Sequence, residues 1–116
     1  MASLLVDDLD NAVGGWGSVV DLTATLGITT GTGITPTVRG AVVSESGVTA
    51  GAVALQPGTA GPTGIVWGSV ATPTTVPTPN GGASALNTVG VAGTTHVRAV
   101  VTTPIVGAKA TVLITK

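Results

Sequence analysis

Val and Thr, both branched at Cβ, occupy 40 of the 116 positions of this chain. Branching at Cβ crowds a helical turn but suits a pleated, half-buried surface, so the commonest side chains favour strands over helices. Eighteen Gly and seven Pro punctuate the chain often enough to turn it between short strands. The expected fold class is all-β. An antiparallel β-sandwich or small barrel of about seven to eight strands fits the spacing of the turns. An N-terminal arm or short helix is expected ahead of it.

The missing residues constrain chemistry as firmly as the abundant ones constrain fold. There is no Cys, Phe or Tyr, a single His, and nine Asp, Glu, Lys or Arg side chains in all, for a formal charge of −1. A chain of this length suits one domain with a core that needs no disulfide. Small domains that live alone in solution usually carry a well-charged surface. Part of this surface is therefore expected to be covered, by copies of the chain or by a larger partner. Nucleic acid is not an expected partner, because Arg39, Arg98, Lys109 and Lys116 form no basic cluster. A membrane is not expected either, since no apolar run approaches the ~18 to 20 residues of a helical span. The N-terminus lacks the basic stretch of a signal peptide, so the chain is expected to be made in a cytoplasm and to leave it only within an assembly.

Residues 1–17 read as the arm and residues 18–116 as the sandwich domain. In the arm, Leu4, Leu5, Val6, Leu9 and Val13 stand among Asp7, Asp8 and Asp10. The four-residue recurrence of Leu5, Leu9 and Val13 fits a short helix capped by Ser3, with an extended arm as the alternative. Gly14-Gly15-Trp16-Gly17 reads as a hinge. Beyond it, Val20, Leu22, Ala24 and Leu26 alternate with Val19, Asp21, Thr23 and Thr25, which predicts a half-buried strand. Residues 27–36 read as a loop, and residues 37–44 and 48–56 as two strands joined by the short turn Glu45-Ser46-Gly47. A strand over 65–71 precedes a Pro-rich connection. Three further runs, 85–91, 95–103 and 108–115, complete the pattern. Val97, Ala99 and Val101 share one face, as do Ala110, Val112 and Ile114, and the last two strands are expected to form an antiparallel ladder.

Few residues could perform chemistry. His96 is the sole imidazole, lies within a predicted strand on the same face as Arg98, and has no nucleophile motif near it in sequence. No catalytic residue is assigned, and the chain is not expected to be an enzyme. Asp7, Asp8 and Asp10 are too few and wrongly spaced for a Ca²⁺ loop. The glycines of Gly31-Thr32-Gly33 lack the strand-to-helix context of a phosphate loop and read as a turn. No metal or cofactor is expected. Trp16 and Trp67 are the only aromatic residues. Trp67, alternating with Val66, is expected to pack in the sandwich, whereas Trp16 suits an interface.

From about residue 38 onward the chain resembles a β-sandwich module of the virion structural proteins of tailed bacteriophages. The resemblance is carried by three stretches: Gly47-Val-Thr-Ala-Gly-Ala-Val-Ala-Leu55, Ile65-Val-Trp-Gly-Ser-Val70, and His96-Val-Arg-Ala-Val-Val-Thr-Thr-Pro-Ile-Val-Gly-Ala-Lys-Ala-Thr-Val-Leu-Ile-Thr115. It implies a capsid decoration, or cement, protein on the outer capsid surface. Its partners would be the major capsid protein and copies of itself, arranged as a trimer. Leu4, Leu5, Leu9 and Trp16 are then the expected interface residues. A tail or fibre subunit is the alternative within the virion, and a glycan-binding β-sandwich module the alternative outside it.

Overall fold

The computed structural model describes residues 5–9, 19–44, 49–75, 82–106 and 110–115. The described elements are β1 (Leu5–Leu9), β2 (Val20–Asp21), α1 (Leu22–Leu26), β3 (Val38–Ser44), β4 (Ala50–Gly61), β5 (Gly64–Trp67), β6 (Thr74–Thr75), β7 (Gly82–Val89), β8 (His96–Val106) and β9 (Ala110–Thr115). They form two sheets. One has the order β1-β9-β3-β7 and the other β2-β8-β4-β5, with β6 paired to β4. Every pairing is antiparallel. The sheets pack face to face, so the fold is an all-β sandwich.

Alternation along the strands builds the core. Val53 and Leu55 of β4 and Val97, Ala99 and Val101 of β8 point inward from the second sheet. They meet Val38 and Val42 of β3, Leu86 of β7, and Val112 and Ile114 of β9. The core is thus aliphatic and largely β-branched, with side chains that hold one rotamer and interlock without rings.

Three local expectations are corrected. The last two strands do not pair with each other: β8 pairs with β4 and β2, and β9 with β3 and β1. Their apolar faces oppose one another across the core, so the chain between them passes from sheet to sheet. The same is true of β3 and β4, which belong to different sheets and form no hairpin. The third correction is α1. Residues 22–26 are helical because Asp21 caps them, accepting hydrogen bonds from the Thr23 and Ala24 amides at 3.0 and 2.9 Å. Gly27, at φ 68°, closes the helix: its amide donates to the Thr23 carbonyl at 3.0 Å, and the Ile28 amide behind it donates to the Leu22 carbonyl at 2.9 Å. Leu22 and Leu26, four residues apart, both face the core. Alternation at residues 20, 22, 24 and 26 matched a strand only because four-residue helical spacing also falls on even positions.

The N-terminal segment is a strand over Leu5–Leu9, which overturns the expected short helix there and agrees with the extended alternative. As β1 it pairs with β9, with Leu5 opposite Ile114 and Leu9 opposite Ala110. Hydrogen-bonding to the β9 edge satisfies this backbone and overrides the weak four-residue period.

Candidate functional site

The polar and aromatic side chains of the second sheet gather on its outer face. Register sets one row across four strands: Asp21 of β2 opposite His96 of β8, His96 opposite Gly58 of β4, and Gly58 opposite Trp67 of β5. In the adjacent row Arg98 stands opposite Gln56.

Gly58 makes room for the aromatic. A Cβ at that position would lie 2.8 Å from Trp67 Cε3 and 2.7 Å from Ile65 Cγ2, so the indole edge crosses space that any other residue would fill. The Arg98 guanidinium lies over the ring, 4.0 Å from its centroid. Arg98 Nε donates to Gln56 Oε1 at 2.7 Å, and Gln56 Nε2 donates to the Gly68 carbonyl at 2.9 Å. Partial burial draws the Arg98 guanidinium below its ordinary pKa, although it keeps its charge. Trp67 therefore packs, but on the outer surface and half-buried, instead of inside the sandwich as its sequence context suggests.

His96 is held from both sides. Its Nδ1 is 2.8 Å from Thr95 Oγ1, which also accepts the Ala60 amide at 2.8 Å, and its Nε2 is 3.5 Å from Asp21 Oδ2. A hydroxyl, an imidazole and a carboxylate are thus in line. The arrangement joins three elements, since Asp21 caps α1, His96 begins β8 and Ala60 lies in β4. Sequence reading placed His96 and Arg98 on one face, which is correct. It did not find Asp21 or Gly58 as their neighbours.

The Ala24 amide hydrogen bond holds the Asp21 carboxyl below the usual carboxylate range, with burial opposing and His96 reinforcing the shift. Because the folded pKa is depressed, the native state binds fewer protons than the unfolded chain. The resulting stability is present above the unfolded value of about 3.9 and fades as pH falls through the folded value. Asp21→Ala is expected to cost about 1 kcal/mol at neutral pH through the lost cap. Asp21→Asn keeps a capping oxygen and removes the titration. Urea midpoints measured from pH 5 downward should show the wild type losing its advantage over Asp21→Asn; parallel curves would exclude this role for the carboxylate.

A second surface lies at one end of the sandwich, where the loop after α1, the β4–β5 turn and the β7–β8 loop converge. Gly93 donates to the Ile34 carbonyl at 3.0 Å, and Thr95 donates to the Gly58 carbonyl at 2.8 Å. No residue in 27–37, 58–66 or 90–95 is Asp, Glu, Lys, Arg or His. Three aliphatic side chains stand exposed there: Val66 at 67%, Val91 at 54% and Ile34 at 38%.

Of the interface residues expected from the sequence, Leu5 and Leu9 lie at the two ends of β1. Leu4 and Trp16 lie outside the described residues, as does Asp10 of the acidic trio. Among the described residues, no His, Cys, Asp or Glu side chains group in threes as a metal site would require. No helix among them is long and apolar enough to cross a membrane. No family model, curated protein or solved structure matches the chain.

Proposed function

We propose that this chain is a structural protein of a virion: a decoration subunit that binds the outer surface of a capsid shell, with the major capsid protein and its own copies as partners. The observation that carries the proposal is how little charge the molecule presents. Among the described side chains, Arg98 is committed to Trp67 and Gln56, and Asp21 to α1 and His96, which leaves Arg39 of β3 exposed. A surface with so few solvated charges resists aggregation poorly when free, and is suited to being covered. Many weak, uncharged contacts repeated by symmetry supply the avidity such a subunit needs.

The outer-face cluster supports a structural role over glycan binding. Sugar stacking needs an open aromatic face, and Arg98 already occupies one face of Trp67. His96, Thr95 and Asp21 act here as a clasp between elements.

Electron microscopy of virions carrying a labelled copy of the chain tests the reading. Density over the capsid lattice is the expected result. Density on the tail or a fibre would replace the decoration role with the alternative virion role, and no density on the particle would overturn both. Docking by the N-terminal segment is tested with Leu4→Asp and Trp16→Ala, which leave the β1–β9 pairing residues in place. Capsid occupancy should fall, and full occupancy by both variants would remove the segment from the interface.

A further inference from the structure

We propose that the outer face of the first sheet is a self-complementary surface through which two copies of this chain pair about a two-fold axis. The proposal goes beyond the virion role and does not depend on it. Ladder register defines the face. Gly40 and Val42 of β3 stand opposite Ile114 and Val112 of β9, and Val42, Ile114 and Val112 are buried in the core. The alternate residues, Arg39, Ala41 and Val43 of β3 and Thr111, Leu113 and Thr115 of β9, therefore lie on the outward face. Arg39 is exposed and the other five are half-buried. The flanking strands extend the face: on β1, Val6 stands opposite Leu113 and Asp8 opposite Thr111, and on β7, Ala85 stands opposite Ala41. Val6, Leu113, Ala41 and Ala85 thus form an aliphatic row across all four strands.

Charge selects the occupant. Among the described residues of this face, Asp8 and Arg39 are the charged ones, and they take opposite corners, two strands and four residues apart. That separation is about 16 Å at ordinary strand spacing and rise. Leu113 lies midway, on the strand between theirs and two residues from the row of each. A two-fold axis lying in the contact plane through Leu113, at right angles to the line from Asp8 to Arg39, brings Asp8 of each copy against Arg39 of the other. Leu113 then meets its own counterpart, as symmetric interfaces require. The aliphatic row closes at the centre and the charges pair at the rim, which is the anatomy of a protein interface. A partner of one charge sign would oppose one corner or leave it unpaired, whereas a second copy presents both signs at the matching separation. Four short strands make a small face, so the pairing is weak in solution and gains force where many copies are held side by side.

The test is sedimentation velocity of the full-length protein over a wide concentration range. The wild type should show a reversible equilibrium between monomer and dimer. Arg39→Glu and Asp8→Lys, each alone, set like charges together at two symmetry-related contacts and should weaken the dimer about tenfold. The double variant Asp8→Lys with Arg39→Glu restores opposite signs and should recover the wild-type affinity. Within one copy the two positions are too far apart for that recovery to be intramolecular. Leu113→Lys places a charge on the axis against its own copy and should leave monomer alone. Circular dichroism must show native β-structure in each variant, and Arg39→Glu, at an exposed position, keeps the test open should Leu113→Lys fail to fold. A wild type that stays monomeric at every concentration overturns the proposal, whether or not another protein covers the face. So would single reversals without effect, or a double variant as weak as either single one.

Discussion

Gly51→Ala is expected to destabilise the sandwich by about 3 kcal/mol, from backbone strain and overpacking acting together. Gly51 lies at φ 145°, in a region that L side chains rarely adopt, and it occupies the register shift between Ala50 and Ala52 where β4 meets β8. A Cβ there would stand 2.8 Å from Ile105 Cγ1 and 3.1 Å from Ile105 Cα. A side-chain tip can swing away, but the second contact is with backbone. Ile105 is itself 1% exposed, so its displacement would propagate into the core. Strain and clash are each worth about 1 to 3 kcal/mol, and they share one cause, so they do not add in full. Urea unfolding followed by circular dichroism measures the loss. A change below about 1 kcal/mol would mean that β4 relaxes around the new methyl, contrary to the packing argued here.

Leu55→Ala is expected to cost about 4 kcal/mol, in the upper half of the range for such truncations. Leu55 is fully buried in the middle of β4, opposite Ala99 of β8. The cost of a cavity depends on whether neighbours can collapse into it. Here most of the core is short or β-branched, with Val53, Val97 and Val101 fixed at χ1, and the chain has no Phe or Tyr ring to swing inward. The void should persist. The same urea experiment should show a lower midpoint with an unchanged slope. Restoration of most of the loss by Leu55→Met, which refills the volume flexibly, would support a packing cause.

The fold was legible where a short-range pattern had one physical meaning. Alternation assigned Val97, Ala99 and Val101 to one face and Ala110, Val112 and Ile114 to another, and all six are buried. Alternation does not say which strand lies alongside, however, so opposition across the core was misread as a ladder within one sheet. At residues 20–26 the decisive signal was Asp21 followed by Gly27, a helix start and stop that outweighed the β-branched composition around them. The gap between the runs 95–103 and 108–115 predicts a break beginning at Pro104, yet β8 runs through it to Val106. The outer-face cluster was legible only within β8. Asp21, Gln56 and Trp67 reach His96 and Arg98 through pairings remote in sequence, and the role of Gly58 depends on an indole that arrives from the next strand.

The sheet order also fixes when this molecule can become whole. β9 lies between β1 and β3, so it supplies both neighbours with hydrogen bonds. Leu5 must wait for Ile114 before its strand has a partner. Among the described strands, only β4 and β5 pair as sequence neighbours. That hairpin can close early, on a local timescale, whereas the first sheet depends on contacts across nearly the whole chain. During synthesis, β1, β3 and β7 therefore emerge without the strand that joins β1 to the others, and assembly of that sheet is a late event. A chain with so little charge spends that interval with its strand edges open, the stage at which crowding by its own copies is most hazardous.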